Sequence, residues 1–171
     1  MGTVAEHNAL IQRLYDRLLS AGDESVVSDV IDDDVAMHAP ALGTTLHGHD
    51  GFLGYIRMMR TTFPDMHVTI DDIFGEGDRT AIRARVVGTH LGEFQGVAPT
   101  GKRVEMTENL IARWEDGKVR EIWHQFDAVA GLQQMGVIPP PGSGPLTMIG
   151  LFVKGMARGT AYELRKRRGR G

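Results

Sequence analysis

The stretch "GKVREIWHQFDAVAGLQQMG" (117–136) holds the residues best placed to do chemistry. It reads as a strand running into a short helix, with one carboxylate, Asp127, at the joint. Alternate residues of a strand share a face, which groups Val119, Glu121, Trp123, Gln125 and Asp127. An acid at the end of such a face, beside the bulk of Trp123, loses water. Desolvation disfavours the charged form and lifts a carboxyl toward the range in which it both takes and returns a proton. The competing reading is structural, because Asp is a preferred helix N-cap and 128–135 reads as the helix to be capped.

Other candidate motifs carry less. "HGHD" (47–50) offers His47, His49 and Asp50 to a metal, but the spacing is weak and Asp50 before a helical run reads as a cap. No metal site is expected. "FGEGDRT" lacks the spacing of a phosphate loop, and "GSG" (142–144) has no strand-turn-helix around Ser143. The acids at 32–34 and 71–72 read as solvated turn and strand-edge residues.

The elements that must position these groups follow from periodicity. "TVAE" (3–6) has the spacing of a capping box, and Leu10, Ile11, Leu14, Tyr15, Leu18 and Leu19 form one helical face ending near Gly22. Residues 23–32 suggest a second, shorter helix and 34–40 a short strand ended by Pro40. Residues 41–50 suggest a loop, and 51–63 a third helix buried through Phe52, Leu53, Ile56, Met59 and Phe63. After Pro64 the pattern becomes β-rich, with Asp-Gly at 116–117 marking a hairpin. Helices followed by hairpin-linked strands predict an α+β fold, a curved antiparallel sheet with the N-terminal helices on its concave face. A cone of that kind is a natural pocket for a small molecule. Residues 1–138 are expected to form this domain. "IPPPGSGP" (138–145) cannot continue a helix or a central strand, so 139–171 reads as a Pro/Gly linker and a basic amphipathic extension.

The chain has 171 residues, 42% hydrophobic and 24% charged, which suits one soluble domain. It has no cysteine, which excludes disulfides, thiolate catalysis and cysteine-ligated metals. Its net charge of −3 is uneven. Residues 154–171 carry seven basic side chains (Arg170 among them) against Glu163 alone, so an acidic body bears a basic tail. That is not a nucleic-acid-binding surface. No leader-like segment and no run of membrane-spanning length is visible, and a cytoplasmic location is the expectation. The short apolar run of the tail, with Gly150, Gly155 and Gly159 to weaken a helix, argues for docking or disorder over membrane contact.

Several motifs together resemble the SnoaL-like polyketide cyclases (ester cyclases) of the NTF2-like superfamily. They are "FPD" (63–65), "GTHLGEFQG" (88–96), "PTGK" (99–102), "DGKV" (116–119), Glu121 and Trp123 in "E-x-W", and Asp127, Gln134 and Gly136 in "D-x-x-x-x-x-Q-x-G". The resemblance spans residues 4 to about 140. It implies an NTF2-like cone, often a homodimer, and a cofactor-independent intramolecular aldol closure of a hydrophobic substrate such as an aromatic polyketide ester. It implies Asp127 as general acid/base and His38, near the first strand, as its catalytic partner. Trp123, Asn109, His90, Arg113, Gln125, Tyr55 and Met59 are the substrate-binding candidates. Two further readings stay open on the same cone. One is an isomerase or epoxide hydrolase, with Arg83 or Arg113 beside Glu105 or Glu108. The other is a non-catalytic binder of small molecules.

Overall fold

A computed structural model describes residues 2–168, so Arg170 of the basic tail lies outside the described residues. The chain opens with α1 (Val4–Leu14), started by the expected capping box: Glu6 N–H donates to Thr3 Oγ1 at 3.2 Å, and Thr3 N–H donates to Glu6 Oε2 at 2.7 Å. The helix continues as a wider π-helical turn over Tyr15–Ser20, which keeps Tyr15 and Leu18 on the buried side. The second helix is shorter than expected. A 3₁₀ turn (Glu24–Val26) leads into α2 (Val27–Val30), and Ile31 already begins β1 (Ile31–Ala39). The predicted loop after Pro40 contains a strand, β2 (Thr44–His47), hairpinned onto β1. Then come α3 (Gly48–Thr62), β3 (His67–Glu76), β4 (Arg79–Thr89), β5 (Arg103–Glu115), β6 (Lys118–Phe126), α4 (Ala128–Gln134) and α5 (Pro145–Arg168).

The six strands form one curved sheet in the order β2-β1-β6-β5-β4-β3. It is mixed rather than wholly antiparallel, because β1 pairs parallel to β6. The Asp-Gly turn between β5 and β6 holds both residues at positive φ, Asp116 at 50° and Gly117 at 81°, as a two-residue hairpin turn needs. Helices α1 and α3 lie across one face of the sheet, and the core fills the space between. In β4 and β5 the buried residues alternate cleanly: Thr80, Ile82, Ala84 and Val86 on one, Val104, Met106, Glu108, Ala112 and Trp114 on the other.

Two features of the shared motifs fix the ends of this layer. Asp65 of "FPD" accepts from Thr89 N–H (2.6 Å) and Thr89 Oγ1–H (2.7 Å), clipping the end of β4 to the segment after α3. Those two bonds to the ionised form hold its carboxyl below the usual range. Beyond β4, Leu91 and Gly92 N–H groups both donate to Thr62 O at 3.0 Å, tying the loop to the last turn of α3. Gly92 is needed there, since a Cβ would stand 2.2 Å from the Thr61 carbonyl oxygen, a backbone atom that cannot rotate away. Gly92→Ala is therefore expected to lower the unfolding free energy by about 1–3 kcal/mol, read from urea denaturation midpoints at unchanged m-value.

Candidate active site

Helix α1 and its π-turn supply Tyr15, α3 supplies Tyr55, β5 supplies Glu108 and β6 supplies His124. All four meet inside the cone, where the other walls are aliphatic or thioether side chains such as Ile11, Met37, Met59 and Met66. Glu108 is only 7% exposed and His124 4%. Tyr15 Oη–H donates to Glu108 Oε1 at 2.8 Å, and the other carboxylate oxygen lies 3.1 Å from His124 Nε2. The ring of Tyr55 packs edge-on to His124, 5.6 Å between centroids. A carboxylate oxygen facing Nε2 selects the tautomer with the proton on that nitrogen, leaving Nδ1 free to accept. Burial raises both phenols above their ordinary range, and the neighbouring Glu108 adds to the effect. Tyr15 and Tyr55 therefore stay protonated as hydrogen-bond donors at any physiological pH. The void beside these groups is about 60 Å³, room for roughly four waters at 15 Å³ each.

The residues singled out by sequence divide into three places. Tyr55 and Met59 line the cavity. His38, Asn109, Trp123 and Gln125 come together, but on the opposite, outer face of the sheet, where they border a trough with Phe74 and Ile111. Arg113 is on that outer side too, its Nε–H donating to Glu121 Oε2 at 3.1 Å while His38 Nε2 sits 2.8 Å from Glu121 Oε1. His90 is fully buried at the far end of β4, with Nδ1 3.1 Å from Thr100 Oγ1 and its ring beside Phe63. In "HGHD", His49 Nε2 lies 3.0 Å from the Ile31 carbonyl oxygen, and the N-cap of α3 is His47 rather than Asp50.

Asp127 is exposed, and its carboxylate accepts Ala130 N–H at 2.9 Å as the N-cap of α4. The desolvated face expected for it is corrected by a bulge. In β6, Glu121 pairs with Arg113 and Val119 with Trp114, so Arg120 has no opposite number. One extra residue reverses the alternation. Val119 points inward, and beyond the bulge Ile122 and His124 do, while Glu121, Trp123 and Gln125 point outward. The spacing Val119, Ile122, His124 is itself the signal that finds His124, since no unbroken alternation buries both Val119 and Ile122. Glu108 was findable from the alternation of Val104, Met106 and Ala112 around it.

The rest of the "D-x-x-x-x-x-Q-x-G" motif is equally structural. Gln134 Nε2–H donates to Glu105 O (2.6 Å) and Gln134 Oε1 accepts Glu105 N–H (2.8 Å), so the side-chain amide pairs with β5 as a strand would. Gly136, at φ 69°, ends α4. The motif is the cap, anchor and stop of one short helix.

The buried histidines set a pH limit on the fold. Burial, and after it the charge of Arg158, holds the His90 pKa below its ordinary 6.5. Burial does the same to His7, which stacks on Trp114 at 4.1 Å. Above pH 6.5 neither folded nor unfolded form is protonated at these sites. Below it the unfolded chain takes up protons first, so stability falls as the pH drops through this window. The melting temperature of the wild-type chain should fall more steeply between pH 7 and pH 5 than that of His90→Gln, as scanning calorimetry would measure.

The cone has known counterparts. The SnoaL-like polyketide cyclase family matches residues 9–135. IdmH from Streptomyces antibioticus, assigned as a polyketide cyclase, is 35% identical, with a TM-score of 0.67 over 77% of this chain and 99% of its own. AclR from Streptomyces galilaeus, assigned as a hydroxylase, is 28% identical, with a TM-score of 0.71 over 80% of this chain and all (100%) of its own. TsrD from Streptomyces laurentii, 23% identical, shares the fold at a TM-score of 0.73, over 81% of this chain and 100% of its own. None of the curated proteins matches the chain. The α+β cone implied by the shared motifs is the fold found, and the chain belongs to the SnoaL-like polyketide cyclase family.

Proposed function

We propose that the cone is the active site of a cyclase that closes a ring in a hydrophobic, polyketide-like ester by intramolecular aldol reaction, without a cofactor. The observation that carries this is the chain Tyr15, Glu108, His124, a hydrogen-bonded acid–imidazole pair in an otherwise apolar cavity. With Nε2–H held by Glu108, His124 presents Nδ1 as the base that removes a proton alpha to a substrate carbonyl. Tyr55, a phenol kept neutral by burial, donates to the enolate oxygen as charge builds there. The enolate carbon attacks a second carbonyl of the same chain, and the alkoxide takes the proton back from His124. Glu108 orients the imidazole and stabilises its charged form between the two transfers. In this reading Asp127 holds the rim helix and handles no proton.

The test is turnover of an acyclic aromatic polyketide ester, followed by mass spectrometry and absorbance. His124→Gln should lower kcat by about 10²–10⁴ and Glu108→Gln by a comparable factor, while Asp127→Asn, which caps as well as Asp, stays near wild type. An active His124→Gln beside a dead Asp127→Asn would move the base to the rim.

One observation favours a second reading, a non-catalytic binder: the 60 Å³ void is smaller than any polycyclic ester. A ligand of that size needs Met37, Met59 and Met66 to swing aside, which the unbranched thioether chain allows. We further propose that the protein is a homodimer through the outer sheet face, where Phe74 (65% exposed) and Ile111 (43%) are bare. Sedimentation velocity should then show a dimer that Phe74→Asp with Ile111→Asp converts to a monomer.

A further inference from the structure

Helix α5 is 24 residues long and carries an apolar stripe that stands more than half exposed among the described residues. Leu146, Ile149, Phe152, Val153 and Met156 recur at helical spacing and are 58–84% exposed, Phe152 at 70% and Met156 at 60%. The side of the helix that faces the body meets this stripe at its edge, through Phe152 and Met156. Leu151, Phe152, Gly155, Met156 and Gly159 border a cleft with Val97, Ala98 and Val137, and Lys166 Nζ lies 3.4 Å from Glu93 Oε2. Gly155 and Gly159 face this cleft, and the helix runs unbroken past them and past Gly150.

Charge narrows what the stripe meets. The helix carries six basic residues against Glu163 alone, so two copies packed stripe to stripe would bring like charges together. Among the described residues no carboxylate pairs with Lys154, Arg165, Arg167 or Arg168, all of them exposed. Four cations, Arg165, Lys166, Arg167 and Arg168, close the last turn, where the helix dipole already favours them. Among the described residues no helix is long and apolar enough to cross a membrane. An apolar stripe with unpaired cations beside and beyond it is the build of a helix that lies in a lipid interface. Lys and Arg can bury their stems there and keep their heads among phosphates.

We propose that α5 is an interfacial anchor: its Ile149/Phe152/Val153/Met156 stripe enters the headgroup region of an anionic phospholipid bilayer, and Lys154, Arg165, Arg167 and Arg168 bind the lipid phosphates. The inference is independent of what the cone does. It replaces the expectation that glycine and a short apolar run keep this segment off membranes.

The test is co-sedimentation of the full chain with vesicles of phosphatidylcholine, and of phosphatidylcholine and phosphatidylserine in equal parts. The chain should pellet with the anionic vesicles only and be released by salt. Ile149→Asp with Val153→Asp should abolish pelleting, and since both side chains are exposed and neither borders the cleft the melting temperature should not move. Gln at Lys154, Arg165, Arg167 and Arg168 together should weaken binding by up to roughly a thousandfold, four cations near an anionic surface being worth about 1 kcal/mol each. Failure to pellet with anionic vesicles overturns the proposal, as does binding that the Asp variant retains. So does a stripe that binds poly-glutamate while ignoring lipid, or one whose Asp variant changes the oligomeric state seen in sedimentation velocity.

Discussion

A carboxylate in a greasy hollow dictates how this cone is assembled. Glu108 sits among methionine, isoleucine and leucine side chains, and an uncompensated charge there would cost several kcal/mol. Its two oxygens are matched by donors from two other elements, Tyr15 from the π-turn after α1 and His124 from β6. Neither donor works alone. The wide turn carries Tyr15 down to the sheet, and the bulge turns His124 inward. The same group that threatens the fold therefore ties helix, β5 and β6 together, and removing either donor would leave a buried carboxylate oxygen unpaired.

The bulge at Arg120 has a second effect. By sending Glu121 outward it builds a separate polar cluster on the outer face, where Glu121 takes His38 on one oxygen and Arg113 on the other. His38 also stacks near Trp123, 5.6 Å between centroids, and Arg79 lies over the same indole at 5.3 Å. Those donors hold the Glu121 carboxyl below its usual range, His38 being the main cause. A strand with strict alternation would give one polar face and one apolar face. With one extra residue, β6 places an acid-histidine pair on each side of the sheet.

Local rules sufficed where a local rule decides the outcome. The capping box at Thr3, the Asp-Gly hairpin at 116–117, the α3 stripe through Phe52 and Met59 and the alternation of β4 and β5 all appear as their residues require. What period alone could not supply was long-range. β2 is four residues long and exists because β1 offers it an edge. The parallel pairing of β1 with β6 joins residues far apart in sequence. The site suffered most from one assumption, unbroken alternation along β6. It grouped Trp123 with Val119, when Val119, Ile122 and His124 are the residues that share the inner face. Tyr55 and Met59 were recoverable because a helical face survives such shifts.

The motif around Asp127 shows why a shared pattern need not mark chemistry. A seven-residue helix makes few hydrogen bonds of its own and is marginal without help. Asp127 satisfies an orphan amide at its start, Gln134 pins its end to β5 through two bonds, and Gly136 supplies the left-handed residue that stops it. Gly131 lets it lie on Met106, since a Cβ there would stand 2.7 Å from the methionine sulfur. Met106 belongs to the same inward-facing row of β5 as Glu108. A helix held against β5 in this way needs Asp, Gln and Gly whatever reaction the cone runs, so the pattern identifies the cone and not the reaction.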